Sequence, residues 1–184
     1  MSSVSKTTGL LWCVLTAVLH HSAQAEQTAD IVNYRQYTAD FASSGQIEKK
    51  HLQQLSARGF QRIVYIAYRA HGSETDNLSI DQHATDLGLH YVHIPVPWQA
   101  PSIEHYRIFV AVMNSQPKAR TLLHCQMNYR ASAFSFLYRV LELNTPTNEA
   151  LADLKGVWQP DATWSTFINS VLAAHNHATI KFNA

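Results

Sequence analysis

The sequence predicts a single α/β domain in which helices flank a mostly parallel central sheet of about four to five strands. The first observation behind this prediction is that short, continuous apolar runs alternate with helical patterns along the chain. Such runs are typical of parallel strands that are buried on both faces. The second is that 184 residues, 46% of them hydrophobic, are enough for one domain with a proper core but hardly for two.

The elements follow in chain order from periodicity and from stop signals. Residues 47–58 are predicted to form a helix in which Leu52 and Leu55 face the core, and Gly59 ends it. Next come a strand at 63–67, a short helix with Ile80, Ala84 and Leu87, and a strand at 91–94. A helix with Ile103, Tyr106, Val110 and Met113 follows, and then a strand around Leu122 and Leu123 and a helix from about Ala131. Asp161 is predicted to cap a last helix, which carries Trp164, Phe167 and Val171. Right-handed crossovers would bring the loops after the strands to one edge of the sheet, where ligands of open α/β sheets bind. Those loops are 69–79, 96–102 and 125–130.

The first 25 residues are predicted to be a secretory signal peptide, and residues 26–184 the mature domain, with its core at about 37–170. Lys6 supplies a basic residue, an apolar stretch follows it, and Ala23-Gln24-Ala25 offers a cleavage site. The apolar stretch is short for a transmembrane helix. We therefore expect an exported protein, in the bacterial periplasm or secreted, without stable membrane insertion after cleavage. An uncleaved N-terminal anchor is the alternative.

Charge and cysteine content narrow the function classes. Cleavage would remove Lys6 and leave 13 of the 14 Lys and Arg residues against 13 Asp and Glu. A chain of nearly zero net charge gives no indication of nucleic-acid or membrane-surface binding. Cleavage would also remove Cys13, so Cys125 is the one thiol expected in the mature protein. A lone thiol in an exported protein is either reactive or an inert buried residue.

The segment from Cys125 to Arg130 favours the reactive alternative. A short buried strand, 121–124, runs into this segment, and helical spacing resumes after it. A thiol at a helix N-terminus is favoured as thiolate by the helix dipole and the free N–H groups, and an arginine side chain can hold two oxygens of a tetrahedral anion. The loop contains no glycine, so Asn128 is the residue expected to adopt positive φ.

The loop and the residues after it, His124 to Val140, resemble the bacterial protein-tyrosine-phosphatase-like family. This family is related to dual-specificity phosphatases and to the phosphatase-like domain of beta-lactamase-hydrolase-like proteins. Further family landmarks are Ser44-Gly45-Gln46, Tyr91 to Trp98 and Ala100-Pro101-Ser102, so that the resemblance spans about 37–167. It implies a phosphatase-like three-layer sandwich.

The resemblance also implies a chemistry: a cysteinyl-phosphate intermediate, with no metal and no cofactor. Cys125 would be the nucleophile, and Arg130 would bind phosphate. The other residues of the phosphate-binding loop would be Gln126, Met127, Asn128 and Tyr129. The partner would be a phosphorylated small molecule or a phosphoprotein.

Two features differ from the superfamily pattern. Four residues separate Cys125 from Arg130, where phosphatases of the superfamily commonly have five. Four is also the count in rhodanese-type sulfurtransferase loops, and Cys125 would there carry a persulfide. The segment 97–101 has no carboxylate where the superfamily has its general acid, and an amide such as Gln99 cannot deliver a proton at neutral pH. This difference leaves a non-catalytic module for phosphate or sulfate ligands as a third alternative.

Several other residues are supporting candidates, each with a structural alternative. Glu104, Glu74 and Asp76 are possible acids or else solvated charges, and Arg69 is a possible further cation or else a surface residue. His124 would fix the loop or simply be a hydrogen-bonded histidine; Ser132 would hydrogen-bond the thiolate or lie inside a helix; Trp98 would line a pocket or belong to the core. His175 and His177 form a weak metal motif without further ligands, and we interpret them as part of a flexible tail.

Overall fold

The computed structural model describes residues 30–68 and 80–182. The predicted signal peptide and the loop 69–79, with Arg69, Glu74 and Asp76, lie outside the described residues. Within the described part of the chain, no helix combines the length and the apolar character that a membrane span requires.

A five-stranded sheet forms the centre of the domain. Its strands are β1 (Arg35–Thr38), β2 (Phe41–Ser44), β3 (Arg62–Ala67), β4 (His90–Val96) and β5 (Thr121–His124). They lie in the order β1-β2-β5-β3-β4, and all neighbours are parallel except the antiparallel pair β1 and β2. This arrangement confirms the predicted α/β class and strand number.

Six helices cover the sheet within the described residues. They are α1 (Lys49–Ala57), α2 (Ile80–Asp86), α3 (Ile103–Ser115), α4 (Tyr129–Leu141), α5 (Thr147–Lys155) and α6 (Ala162–Ala174). Asp161 caps α6 as predicted, because its Oδ1 accepts a hydrogen bond from the Trp164 N–H at 2.9 Å. No pattern in the sequence indicated α5, β1 or β2.

The core has two parts, one on each face of the sheet. Adjacent strand residues point to opposite faces, so Leu122 joins the smaller cluster with residues of α1 and α2, whereas Leu123 joins the larger cluster with residues of α3 to α6. The result is a three-layer sandwich. Strand β4 lies at an edge, which explains why it is less buried than the interior strands β3 and β5.

Two buried arginines connect neighbouring elements. Arg62 at the start of β3 donates to Thr121 Oγ1 at 3.0 Å and to the Val112 carbonyl at 2.6 Å, and so ties the sheet to the C-terminal end of α3. Arg139 of α4 pairs with Glu149 at 3.0 Å and Asp153 at 2.5 Å, both on α5. Both guanidinium groups are thus paired with acceptors, as buried charges must be.

Candidate active site

The loop 125–130 lies at the carboxyl end of β5, where it leads into α4. The Cys125 N–H donates to the Ser44 carbonyl at 3.3 Å, so the hydrogen bonding between β2 and β5 continues into the loop. The Cys125 side chain is 1% exposed and is free of disulfide bonding. The thiol is therefore at the base of the loop and not on its rim.

Asn128 closes the loop at the start of α4. Its φ of 65° lies in the left-handed region, which confirms the predicted positive φ. The residue is fully buried, and its carbonyl accepts the helical hydrogen bond from the Ser132 N–H at 2.7 Å. The loop thus makes its turn without a glycine. The N–H groups in the first turn of α4 have no partner within the helix and are free to bind an anion.

Neighbouring segments hold two carbonyl groups of the loop. The Gln126 carbonyl accepts from the Gln46 N–H at 2.8 Å, and the Met127 carbonyl accepts from the Asn33 side-chain amide at 3.0 Å. The described chain has no cis peptide, and in a trans peptide the N–H points away from the preceding carbonyl. The Met127 N–H therefore faces away from the Gln46 segment, as a cradle for an anion requires.

Gly45 permits this close packing. A Cβ at Gly45 would lie 2.7 Å from the Gln126 carbonyl oxygen and 2.8 Å from Val32 Cβ. Both contacts are too short for carbon, so a larger residue would push the phosphate-loop candidate out of place. The segment Ser44-Gly45-Gln46 therefore packs directly against the loop and supports its backbone.

Arg130 lies in the first turn of α4 and contacts an aromatic side chain. Its guanidinium carbon is 5.1 Å from the centroid of the Trp98 ring, within the range of a cation–π contact. The Arg130 Nε is buried and has no hydrogen-bond partner among the described residues. The arginine thus packs on Trp98 while its Nε donor is left unpaired, as a side chain that binds a phosphate oxygen would be in the absence of the anion.

The rings of His124, Tyr65 and His93 lie side by side on neighbouring strands, and His124 directly precedes Cys125. In the strand register, Tyr65 is opposite both His124 and His93, and its ring centroid is 4.7 Å and 5.1 Å from theirs. His93 Nε2 is 2.8 Å from the Ala67 carbonyl. Burial raises the pKa of Tyr65, the charge of Cys125 raises it further, and Arg130 lowers it. Tyr65 was not among the predicted site residues, because its place in an apolar run indicated only a core strand.

An aromatic wall stands beside Arg130. Tyr129 is stacked on Trp158, with centroids 4.9 Å apart and an interplanar angle of 12°, and Trp98 packs against Trp158 at 5.4 Å. The Trp164 indole N–H donates to the Trp98 carbonyl at 3.1 Å and so anchors the turn that follows β4. Trp98 thus belongs to this cluster and also borders the site, whereas Trp158 had no signal in the sequence.

The family follows from the sequence match. The family model described as "Beta-lactamase hydrolase-like protein, phosphatase-like domain" matches residues 33–140, which is more than half of the chain. The chain belongs to this family. No curated protein gives a significant match to this chain.

Solved structures support the phosphatase-like fold of this family member. A putative phosphatase (DUF442) from Shewanella putrefaciens CN-32 is 26% identical, with a TM-score of 0.69 over 83% of this chain and 99% of that one. P. aeruginosa TpbA is 12% identical, with a TM-score of 0.59 over 79% and 92% of the two chains. The catalytic core of the PP-IP phosphatase SIW14 from S. cerevisiae is 11% identical, with a TM-score of 0.60 over 78% and 93%. The last two likenesses concern the fold alone.

Neither Gln99, at the acid position of the superfamily, nor Glu104, the candidate carboxylate, has a described contact with the Cys125 thiol. Gln99 is exposed in the turn after β4. Glu104 pairs with Arg107 at 3.6 Å, and both side chains are about two-thirds exposed, at 68% and 67%. A surface ion pair of this kind is the solvated charge that the sequence analysis gave as its alternative. No carboxylate lies between residues 97 and 101.

A shallow groove of about 540 Å³ opens beside Gln99, between this turn and α6. It is lined by neutral side chains, which are Gln99, Ala100, Pro101, Ser102, Ile103, Ala162, Thr163, Thr166, Phe167 and Ser170. Such a groove provides hydrogen-bonding and apolar contacts but no charge for a bound molecule.

The remaining candidates have structural roles in the phosphatase-like domain. Ser132 is buried inside α4, and its hydroxyl donates to the Tyr129 carbonyl at 3.1 Å. His175 is the C-cap of α6 and has its Nδ1 2.8 Å from the Val171 carbonyl, and His177 is 3.4 Å from the Ala178 carbonyl. Within the described residues, no group of three or more His, Cys, Asp or Glu side chains could hold a metal ion.

Proposed function

We propose that this protein is a phosphoric monoester hydrolase in which Cys125 is the nucleophile and the loop 125–130 binds phosphate. The observation that carries the proposal is the construction of this loop: a shielded thiol at its base, a left-handed Asn128 at the N-terminus of α4, and Arg130 with a buried Nε that no described residue engages. These parts supply a nucleophile, amide donors and a fixed cation for one tetrahedral anion.

The reaction would proceed in two displacements. The Cys125 thiolate attacks phosphorus, a sulfur–phosphorus bond forms, and the bond to the ester oxygen breaks. Arg130 and the loop N–H groups hold the equatorial oxygens while the charge is redistributed. Water then attacks the cysteinyl-phosphate, which releases inorganic phosphate and restores the thiolate.

The leaving group determines how fast the first displacement is. Because segment 97–101 has no carboxylate, the departing alkoxide would take its proton from solvent. We expect activated aryl phosphates to react and alkyl phosphates to react barely. Gln99→Glu should raise turnover of alkyl or tyrosyl phosphates, since a general acid contributes about 10²–10⁴-fold, and should change the activated substrate little. An equal rise for both substrates, or none for either, would mean that Gln99 does not occupy the acid position.

The substrate class is a phosphorylated small molecule or a phosphoprotein. TpbA from P. aeruginosa has been solved as a variant in complex with pTyr, at 10% identity and a TM-score of 0.58 to this chain. Phosphotyrosine peptides are therefore the first phosphoprotein substrates to test. A panel should compare them with phosphoserine peptides and with an aryl phosphate.

The decisive experiment is hydrolysis of p-nitrophenyl phosphate by the wild type and by Cys125→Ser, under controlled reducing conditions. The serine variant keeps nearly the same volume but is a far weaker nucleophile. We expect turnover by the wild type and its loss in the variant, with an unchanged melting temperature. Absence of turnover in the wild type, or equal turnover in both proteins, would refute the proposed mechanism.

The four-residue spacing supports one alternative enzyme, a rhodanese-like sulfurtransferase. The Cys125 thiolate would take the sulfane sulfur of thiosulfate, release sulfite and become a persulfide, and cyanide would then leave as thiocyanate. Mass spectrometry after thiosulfate treatment tests this alternative through a gain of one sulfur atom on Cys125. Phosphate binding without turnover on any activated ester or thiosulfate would instead indicate a binding module.

We also propose that the protein is exported and that residues 1–25 are removed. The pattern of Lys6, the apolar stretch and Ala23-Gln24-Ala25 supports this proposal. Mass spectrometry of the protein recovered from periplasm or medium should find Glu26 as the first residue. A first residue upstream of the apolar stretch would favour the N-terminal anchor.

A further inference from the structure

We infer that Asn33 is a positioning residue of the phosphate loop, which acts through Met127 and Asn128; this inference rests on the proposed function. Asn33 precedes β1 and is 94 positions away from Met127 in sequence, yet its side-chain amide donates to the Met127 carbonyl at 3.0 Å. In return, the Asn128 side-chain amide donates to the Asn33 carbonyl at 2.7 Å. The two asparagines thus form a reciprocal pair, which we call the asparagine clasp.

The clasp fixes both ends of one peptide group. Met127 provides its carbonyl, and Asn128 provides the following Cα and side chain, so the plane of the peptide between them is tied at two points. A planar trans peptide that is held in this way has a fixed N–H direction. In an oxyanion site the direction of each N–H determines how much charge it stabilises in the transition state.

The clasp also offsets the strain at Asn128. A residue other than glycine at φ 65° needs support from its surroundings, and the Asn128 side chain is buried with a donor that would otherwise lack a partner. Asn33 itself has φ 49°. Both residues therefore occupy conformations in which asparagine is favoured over most other side chains.

The backbone of this segment is held independently of the Asn33 side chain. The Gly45 N–H donates to the Val32 carbonyl at 2.6 Å, and the Tyr34 N–H donates to the Ile31 carbonyl at 3.2 Å. Asn33→Gly therefore removes the amide donor, tolerates the positive φ and leaves the carbonyl that accepts from Asn128. This variant tests the hydrogen bond to Met127 with little change elsewhere.

A matched control exists in the turn between α4 and α5. Asn144 is exposed, as Asn33 is, and has φ 55°, but it lies at the opposite end of α4 from the phosphate loop. Asn144→Gly makes the same chemical change at the same backbone conformation. We expect its turnover to equal that of the wild type.

The test measures kcat and KM for p-nitrophenyl phosphate and the Kd of inorganic phosphate, all well below the melting temperature. We expect Asn33→Gly to lower kcat/KM about tenfold to a hundredfold and to raise the Kd of phosphate several-fold, because the same misplaced N–H group contacts the bound anion and the transition state. This range corresponds to a reacting group misplaced by a fraction of an ångström to about 1 Å. Asn33→Asp keeps the size and the tolerance of positive φ but turns a carboxylate toward the Met127 oxygen, so its loss should be at least as large. Combining Asn33→Gly with Asn128→Gly should cost less than the product of the single effects.

Turnover by the wild type distinguishes a failure of the clasp from a failure of the proposed phosphatase function. If the wild type turns over and Asn33→Gly stays within twofold of Asn144→Gly in both kcat and KM, the clasp has no positioning role and the phosphatase proposal stands. If the wild type does not turn over, phosphate titration decides, because the clasp predicts a Kd at least several-fold higher in Asn33→Gly. Equal Kd values, or no phosphate binding by the wild type, would overturn the inference.

Discussion

Substitution of Gly45 by alanine tests the packing between β2 and the loop 125–130. Alanine normally stabilises a protein by about 0.4–1 kcal/mol where the glycine φ is compatible, and the φ of Gly45 is not positive. The structure predicts the opposite sign here. The added carbon would lie 2.7 Å from the Gln126 carbonyl oxygen and 2.8 Å from Val32 Cβ, so the loop backbone on one side or the Val32 side chain on the other must move.

The magnitude follows from the size of this clash. Overpacking of a buried site costs about 1–3 kcal/mol, which outweighs the gain from reduced chain entropy. Relief of the contact with the Gln126 carbonyl requires the loop to shift by about half an ångström, because packed atoms sit at about 3 Å or more. A displacement of this size in a phosphate site corresponds to a loss of about tenfold or more in kcat/KM. We therefore expect Gly45→Ala to be both less stable and less active.

The assay combines urea unfolding with turnover of p-nitrophenyl phosphate. Gly156→Ala is the matched control, because Gly156 has φ −68° at the end of α5 and an added carbon there would meet its nearest atom at 3.3 Å. We expect this control to stay within about 1 kcal/mol of the wild type and to keep full turnover. A Gly45→Ala protein with the stability and turnover of the control would refute the reasoning.

Three further predictions concern charged and titratable groups. Arg130→Lys keeps the charge but loses the planar fork, so kcat/KM should fall about 10²–10³-fold in steady-state assays while the melting temperature is unchanged. Arg62→Met removes the donor to the Thr121 hydroxyl, whereas the Val112 carbonyl still accepts from the Ser115 hydroxyl at 2.8 Å. Urea unfolding should therefore show a loss of about 1–3 kcal/mol, with turnover per folded molecule retained. Burial and the neighbouring Glu142 raise the pKa of Tyr106 above its usual 10.0. The unfolded chain then loses its proton first, so the free energy of unfolding should decrease as the pH rises above about 10, and Tyr106→Phe should weaken this dependence in urea titrations at pH 9 to 11.

Local pattern was sufficient for most elements and insufficient for β1, β2 and α5. The predicted helices have apolar residues at helical spacing and the predicted strands are continuous apolar runs, and both patterns report burial directly. Strands β1 and β2 have four residues each, and β2 is built from Phe41, Ala42 and two serines that are buried without being apolar. Helix α5 buries only Ala150 and Leu154, too few to define a period.

The residues of the candidate site also fall into those that local sequence predicted and those that it did not. Its local part was predictable, because Cys125, Asn128 and Arg130 lie within six residues of one strand–loop–helix connection and each has a chemistry that depends on that connection. Tyr65, Asn33 and Trp158 were not predictable, since their relation to the loop depends on contacts across 29 to 95 positions in sequence. Their residue types are equally compatible with a core strand, a surface turn and a core tryptophan.

The sequence by itself determined the α/β class, the family and the position of the loop 125–130 between a strand and a helix, because all three are encoded in short-range patterns of polarity and in contiguous motifs. Only the tertiary structure decided that β5 lies between β2 and β3. That strand order brings Gly45 and Asn33 to one side of the loop and Tyr65 to the other. The physical reason is that strand pairing joins segments distant in the chain, and such pairing depends on the fit of the whole sheet and not on any local sequence signal.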